Sequence, residues 1–513
     1  MKVKKSIKNS VTSMLANFCS ILVGFIAQKI FIIYLGVEYL GLNGLFTNII
    51  SMLGIIELGL GSAVIYNLYK PLYDKDYETI NSLMIYFKNA YKKISYIVLI
   101  IGVIIYPFLG AIVGNTKIEI NVSIVYILFI LDAYVTYILS YKRSILYADQ
   151  NNYVINIIHI LYVIILNIVQ IIILVLFKNY YGYLIMKIIL HLLENILITL
   201  YVNRNYKYLN EKTSKKLDKD IQKDISKKIK ALFFHKIGTF VVSGTDNLII
   251  SKYLGLITVG LYSNYYLIIN SVTNLFTQFI LAITPSVGHL LVENDKKKTF
   301  LTFRKIRFLN FWISCFSGVC LLVLIEPFVT IWLGKKYLLS TITLIILIIN
   351  FYQKMMRASY QTFKDAAGIY YEDRFVPLIE STLNIVLSIF FVKKIGLTGV
   401  FLGTILSGFI LWCYSYPKFV YINLFSRKKI NYYLETFSYI LLFLLISIIT
   451  SFISNHVSVI NYYLNFTLKL IICIIVPNVL LLIIFRKNEN FIYFKTLLFD
   501  MFKEKKGSKK IWK

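Results

Sequence analysis

Runs of roughly 20 apolar residues recur along the whole of this 513-residue chain, and a helix of that length crosses a bilayer. We place about fourteen of them, near 11–35, 40–66, 94–114, 120–141, 154–177, 180–201, 231–254, 257–285, 309–333, 338–360, 376–393, 396–416, 435–455 and 462–485. None shows the two-residue alternation of a barrel strand, so helix is the spanning form. The fold class expected is therefore an all-α polytopic membrane protein. Composition agrees: 58% of residues are hydrophobic and 16% charged, against about 45–50% and 25% in soluble domains.

The net charge of +30 would suggest nucleic acid in a soluble chain. Its placement argues otherwise. With the N-terminus inside, 44 Lys and Arg fall in inside segments and 7 in outside turns (Lys117, Lys178, Lys252, Lys335, Lys336, Lys393 and Lys394). Cytoplasmic loops collect such cations, so both termini are expected in the cytoplasm and no nucleic acid is expected as a partner. The outside turns are too short to hold an external catalytic loop, which weighs against a polymerase or ligase. Cys19, Cys315, Cys320, Cys413 and Cys473 lie in apolar runs without CxxC spacing, so neither disulfides nor zinc is expected. No phosphate-cradling Gly-Lys-Ser/Thr loop is present, and no cofactor or metal is expected.

The largest inside connection, 202–230, repeats Leu217, Ile221, Ile225 and Ile229 every four residues among lysines. It reads as an amphipathic helix on the inner leaflet, held by anionic membrane lipid. The tail, 486–513, repeats the device with Phe491, Phe494, Leu498 and Met501 ahead of a basic end.

An internal repeat organises the rest. Tyr34–Leu42 overlays Tyr253–Leu261 at an offset of 219 residues. Both copies form the turn between the first two spans of a six-span block. Two halves follow, 1–201 and 231–416, joined by the linker, with helices 13 and 14 in 417–485 as an appendage. Transporters use such repeats to place a site between halves that rock.

Polar residues inside spans are costly and mark function. Span 1 carries Ser13, Asn17, Ser20, Gly24 and Gln28 on one face, with Lys29 beside its outer end. Span 7 carries Lys236, Thr239, Ser243 and Asn247, with Asp246 adjacent. Span 8 adds Asn270, Asn274 and Gln278, and span 10 ends in Asn350, Gln353, Lys354, Arg357 and Gln361. Lys29, Lys236, Lys354 and Arg357, with Asn17 and Asn247, are the expected contacts to an anionic substrate. Glu57, in a glycine-rich stretch of span 2, and Asp246 are the candidates for a coupling ion or proton. Asp132, Glu194 and Glu380 are further acidic groups in spans. His159, His191 and His235 lack metal-ligand spacing and read as satisfied interior histidines.

The stretches Tyr34–Phe46, Glu57–Ala63 and Tyr69–Leu72 resemble the start of bacterial polysaccharide transporters. So do His235–Gly238 with Thr245–Ser251, Ala148–Gln150, and Gly396–Thr404. The resemblance extends to about residue 420. It is to the oligosaccharide-lipid flippases, in the superfamily that also holds multidrug/cation antiporters and lipid II flippases. It implies two six-helix lobes around a central cavity and no enzymatic activity. It also implies transfer of an undecaprenyl-diphosphate-linked oligosaccharide across the cytoplasmic membrane, for capsule, O-antigen or a similar polymer. Glycosyltransferases and a polysaccharide polymerase would be partners. A multidrug antiporter would want a carboxylate deep in span 1; this span has none and ends in Gln28-Lys29. A non-transporting component of a polysaccharide assembly complex is the other alternative.

Overall fold

A computed structural model describes residues 2–57, 60–114, 116, 118–210, 217, 222–223, 225–226, 244–281, 283–293, 295–369, 372–457 and 459–497. Among these the chain is helical with no β-strand. The helices are α1 (Lys2–Leu35), α2 (Val37–Leu53), α3 (Leu60–Asp74), α4 (Tyr77–Ile105), α5 (Leu109–Val113), α6 (Val122–Ile138), α7 (Arg143–Ala148), α8 (Asn152–Phe177) and α9 (Tyr180–Asn205). Then come α10 (244–254), α11 (Leu256–Leu281), α12 (Thr284–Val292), α13 (Lys296–Trp332), α14 (Thr341–Ala366), α15 (Val376–Ile395), α16 (Leu397–Ile410), α17 (Lys429–His456) and α18 (Tyr462–Phe485). Wide π-helical turns extend α16 over Leu411–Leu424.

Among the described residues ten segments are long and apolar enough to cross a membrane. The protein is a multi-pass membrane protein. Several expected spans take a different form. The second is broken: α2 ends at Leu53, one tight turn covers Gly54–Glu57, and α3 starts at Leu60. The glycines there weaken continuous helix. Helices α11 and α14 have 26 residues each, but they carry the polar stripes and are not among the ten. Most of span 7 lies outside the described residues.

Packing divides the chain into two compact units. Unit 1 is Met1–Asn264 with Pro377–Gly403, and unit 2 is Tyr265–Val376 with Thr404–Lys513. In unit 1, α1 lies along α8, and α4, α6 and α9 pack side by side. Phe46 sits edge-on to Tyr126 and Phe129 at 5.4 and 5.6 Å. Large apolar side chains on α4, α8 and α9 face outward, including Val103, Leu161, Ile168, Leu197 and Leu200. Such a surface suits lipid and would be an aggregation liability in water. In unit 2, α13 is the central post, flanked by α14, α17 and α18.

The two copies of the repeated turn meet inside unit 1. Gly36 and Gly255, equivalent at the 219-residue offset, each join two helices with φ of +94° and +83°, a conformation that glycine adopts without strain. Five residues on, a side chain at Gly41 would strike the Leu256 carbonyl, and one at Gly260 would strike the Val37 carbonyl. Leu256 and Gly260 are the repeat equivalents of Val37 and Gly41. The contact is thus self-complementary, backbone against backbone.

Of the linker stripe, Leu217 and Ile225 are buried; Ile221 and Ile229 lie outside the described residues. In the tail, Phe491 stacks on Trp312 at 5.8 Å and Phe494 on Phe308 at 6.4 Å. Leu498, Met501 and the basic end are outside the described residues.

Candidate functional site

Among the described residues a dense set of ionisable side chains within spans lies in unit 1. On α9, Lys187, His191 and Glu194 follow at steps of four and three, which puts them on one helix face. Three other helices answer that face. Asp132 of α6 accepts from Lys187 at 3.0 Å and lies 2.6 Å from His191 Nδ1. Arg143, opening α7, lies 3.3 Å from Glu194 and donates to Asn195 at 2.9 Å. His159 Nδ1 of α8 lies 3.1 Å from the same Glu194 oxygen. The two imidazoles are bridged by one phenol ring: Tyr162 stacks on His191 at 4.8 Å and on His159 at 5.7 Å.

The carboxylates are the buried members. Glu194 is 2% exposed and Asp132 12%, whereas Lys187, Arg143 and His159 are 28%, 26% and 42% exposed. A carboxylate inside an apolar bundle persists only when paired, and each has a permanent cation plus an imidazole. The cations keep donors free for a further anion. Lys187 also sits 5.3 Å from the Phe129 ring.

Glu57, in the turn after α2, accepts from the Tyr91 hydroxyl of α4 at 2.8 Å. Of the expected contacts in unit 1, Lys29 is exposed and Asn17 half-buried on α1. The face they share is partly used in packing: Ser13 accepts from Asn156 of α8 at 2.8 Å, and Gln28 donates to Asn264 at 2.6 Å. Asn247 is buried and reaches the Gly44 carbonyl of α2 at 3.5 Å. Asp246 beside it is half-buried. Lys236 lies outside the described residues.

In unit 2, α14 carries Lys354, exposed, and Arg357, half-buried. Arg357 donates to Gln353 at 3.3 Å, and Gln353 donates to the Ile405 carbonyl of α16 at 3.1 Å. The guanidinium lies against Gly408, where any side chain would displace it. A second charged network lies at the opposite extreme of burial. Arg307 of α13 is 1% exposed. It donates to Glu435 at 2.5 Å, to the Tyr421 hydroxyl at 2.7 Å and to Thr436 at 3.0 Å. The rings of Tyr360 and Tyr439 lie 5.3 and 5.1 Å from its guanidinium carbon. Lys364 and Asp373 form a further buried pair, with Ser415 donating to the Asp373 carboxylate.

Sequence reasoning missed the assembly around α9. Asp132, Glu194 and the two histidines were legible only as separate residues, although the spacing of Lys187, His191 and Glu194 was a usable signal. Arg307 passed as one more inside cation. Among the described residues no group of three His, Cys, Asp or Glu is placed to hold a metal ion.

The family described as polysaccharide biosynthesis protein matches residues 34–342, more than half of the chain. The chain belongs to this family. Its fold is similar to that of lipid II flippase MurJ in an inward closed conformation, with a TM-score of 0.64 and 19% identity over 93% of this chain and 99% of that one. It is also similar to an inward-facing multidrug resistance MATE family transporter of the MOP superfamily, with a TM-score of 0.54 and 14% identity over 76% of this chain and 91% of that one. A mutant of the Vibrio cholerae MATE transporter VcmN gives 0.54 and 14% over 81% and 97%. No curated protein sequence matches the chain. The resemblance read from the sequence to a polysaccharide family is borne out by that match, and the fold is the one these flippase and transporter structures share.

Proposed function

We propose that the protein is a flippase. It moves undecaprenyl-diphosphate-linked oligosaccharide repeat units across the bacterial cytoplasmic membrane, for capsule, O-antigen or a related surface polymer. The observation that carries this reading is the presence of partly exposed cations, Arg143 and Lys187 above all, in the apolar bundle of a polysaccharide biosynthesis family member. A diphosphate is recognised by charge-assisted hydrogen bonds from such groups. Support comes from the fold shared with a lipid II flippase, whose match covers more of this chain than either transporter match.

In this proposal both termini are cytoplasmic, and the repeat halves 1–201 and 231–416 alternate in access. Arg143 and Lys187, together with Lys29, Lys236, Lys354 and Arg357, hold the diphosphate in turn, with Asn17 and Asn247 contributing to the sugar or to the path. Glu57 and Asp246 serve ion coupling. Glycosyltransferases precede the step and a polymerase follows it.

Deleting the gene in its host tests the proposal. Lipid-linked repeat units should accumulate on the cytoplasmic side while surface polymer falls, and the wild-type chain should reverse both. Loss of surface polymer without any such accumulation contradicts it.

A further inference from the structure

Unit 2 holds a cavity of about 630 Å³ that the charged networks above do not use. It lies at one end of a four-helix set, where α13 and α17 finish and α14 and α18 begin. Its size falls within the roughly 300–1,000 Å³ of small-molecule sites. The walls change character along the helices. Deep in the set they are apolar, with Leu322 and Val323 of α13, Leu344 of α14 and Leu444 of α17. Toward the helix ends they turn polar. On α17, Ser447, Ser451 and Asn455 follow at steps of four and so share one face. Tyr462 opens α18, and Lys335, in the turn between α13 and α14, lies 5.6 Å from its ring. Two charged side chains line the cavity between these levels. Glu326 stands six residues before the end of α13 at Trp332, and Lys469 seven residues after the start of α18 at Tyr462. At 1.5 Å per residue each lies about 9–10 Å in from the same end. Both are half-buried, and among the described residues neither takes part in an ion pair. A charged side chain at depth in a membrane helix needs polar company. Ser447 is 6% exposed, and its hydroxyl is buried without a hydrogen-bond partner; so is the Asn465 side-chain oxygen. Water suffices for these last two, but it supplies no counter-charge to Glu326 or Lys469.

We infer that this cavity binds a phospholipid whose head carries both a phosphate and a primary ammonium. The phosphate takes Lys469, with Lys335 at the rim. The ammonium donates to Glu326 and to the Asn465 oxygen, and such charge-assisted bonds are the strong ones. The Ser447 hydroxyl serves a phosphate or glycerol oxygen. What selects a lipid over a free phosphoamine is the flank of the cavity. Ile345, Leu444 and Ile448 line it and are 42%, 41% and 65% exposed. Its walls on α14 and α17 therefore run into exposed apolar surface, which suits acyl chains. Head toward the helix ends and chains along the flank match the polar-to-apolar order of the walls. The site shares no residue with the substrate contacts proposed above and does not depend on the transport reading.

The test uses the purified full chain in detergent micelles, stripped of lipid and titrated with lipid while native mass spectrometry reads the bound fraction. The probes are phosphatidylethanolamine, phosphatidylglycerol with the same acyl chains, and glycerophosphoethanolamine, which is the head without the chains. Phosphatidylethanolamine should bind about tenfold more tightly than phosphatidylglycerol, the effect of one hydrogen bond to a charged group, and glycerophosphoethanolamine should leave no adduct. Glu326→Gln should erase the preference between the two lipids, and Lys469→Gln should weaken both about tenfold. Asn465→Leu, which removes the unpartnered oxygen, should also reduce the preference, and it decides the matter if Glu326→Gln does not fold. Phosphatidylglycerol bound as tightly as phosphatidylethanolamine by the wild type overturns the inference, as does a preference unchanged in Glu326→Gln or, in its place, Asn465→Leu. Glycerophosphoethanolamine bound as tightly as the lipid overturns it too, and assigns the cavity to a free solute. None of these measurements involves transport, so a failed transport assay leaves this result standing.

Discussion

The cluster around α9 in unit 1 and the Arg307 cage in unit 2 are both charged networks built by helices, and they differ in what they can do. In the cage the cation is a guanidinium, which does not lose its proton. It is sealed by aromatic rings, and its partners Glu435 and Thr436 both come from α17. It fastens α17 to the central post α13. In the cluster the carboxylates are buried but the cations and imidazoles are partly open. Burial of the cation makes a fastener; partial exposure of the cation makes a site.

The largest effect should come from breaking the fastener. Arg307→Ala leaves Glu435 with the Tyr421 hydroxyl but without its cation and empties the fully buried space among the rings, a truncation that costs about 3 kcal/mol or more. The expected result is a protein that is extracted aggregated or melts far earlier by fluorescence-detected size exclusion. Lys187→Gln in the cluster should leave that profile close to wild type, because Asp132 keeps its hydrogen bond to His191 and glutamine can still donate to it. Equal loss of folded protein in both variants would erase the distinction between fastener and site.

A smaller effect is expected at the repeated turn. Gly260→Ala and Gly41→Ala push a methyl into a backbone carbonyl of the other copy, and overpacking of this kind costs about 1–3 kcal/mol. Because the contact is self-complementary, the two variants should shift the melting temperature by similar amounts. A large shift from one and none from the other would show that the two copies are not equivalent in packing.

The smallest effect on folding should come from Gly408→Ala, which displaces the Arg357 guanidinium from its seat on α16. Stability should change little, while export falls, since a hydrogen bond to a charged group is worth about 1.5–3 kcal/mol. Arg357→Lys should support export only in part, because an ammonium does not reproduce the bidentate grip. Wild-type export in Gly408→Ala would mean that the seat has no role in the substrate path.

Much of this was legible in the chain itself. Apolar run length announced a membrane protein, and the glycines at 36, 41, 255 and 260 announced a repeat, because backbone conformation and close approach are local demands that only glycine meets. The break after Leu53 was foreshadowed by the glycines around Glu57. What was not legible was which charges meet. Lys187, His191 and Glu194 share a face by helical spacing, but Asp132, Arg143 and His159 reach them from three other helices, and no periodicity records that. Arg307 was hidden for the same reason. Its tyrosines come from α14, the π-helical turns and α17, so among its neighbours in sequence it looks like one more interfacial cation.

The central claim is tested most directly by reconstituting the purified chain in liposomes with a fluorescent lipid-linked oligosaccharide and measuring the fraction that a membrane-impermeant quencher reaches over time. The account predicts protein-dependent movement between leaflets, slowed about tenfold or more in Lys187→Gln and Arg357→Gln, the effect of losing roughly 1.4 kcal/mol or more of contact to a charged group. Movement no faster than in protein-free liposomes, with and without an imposed pH gradient and membrane potential, would contradict it.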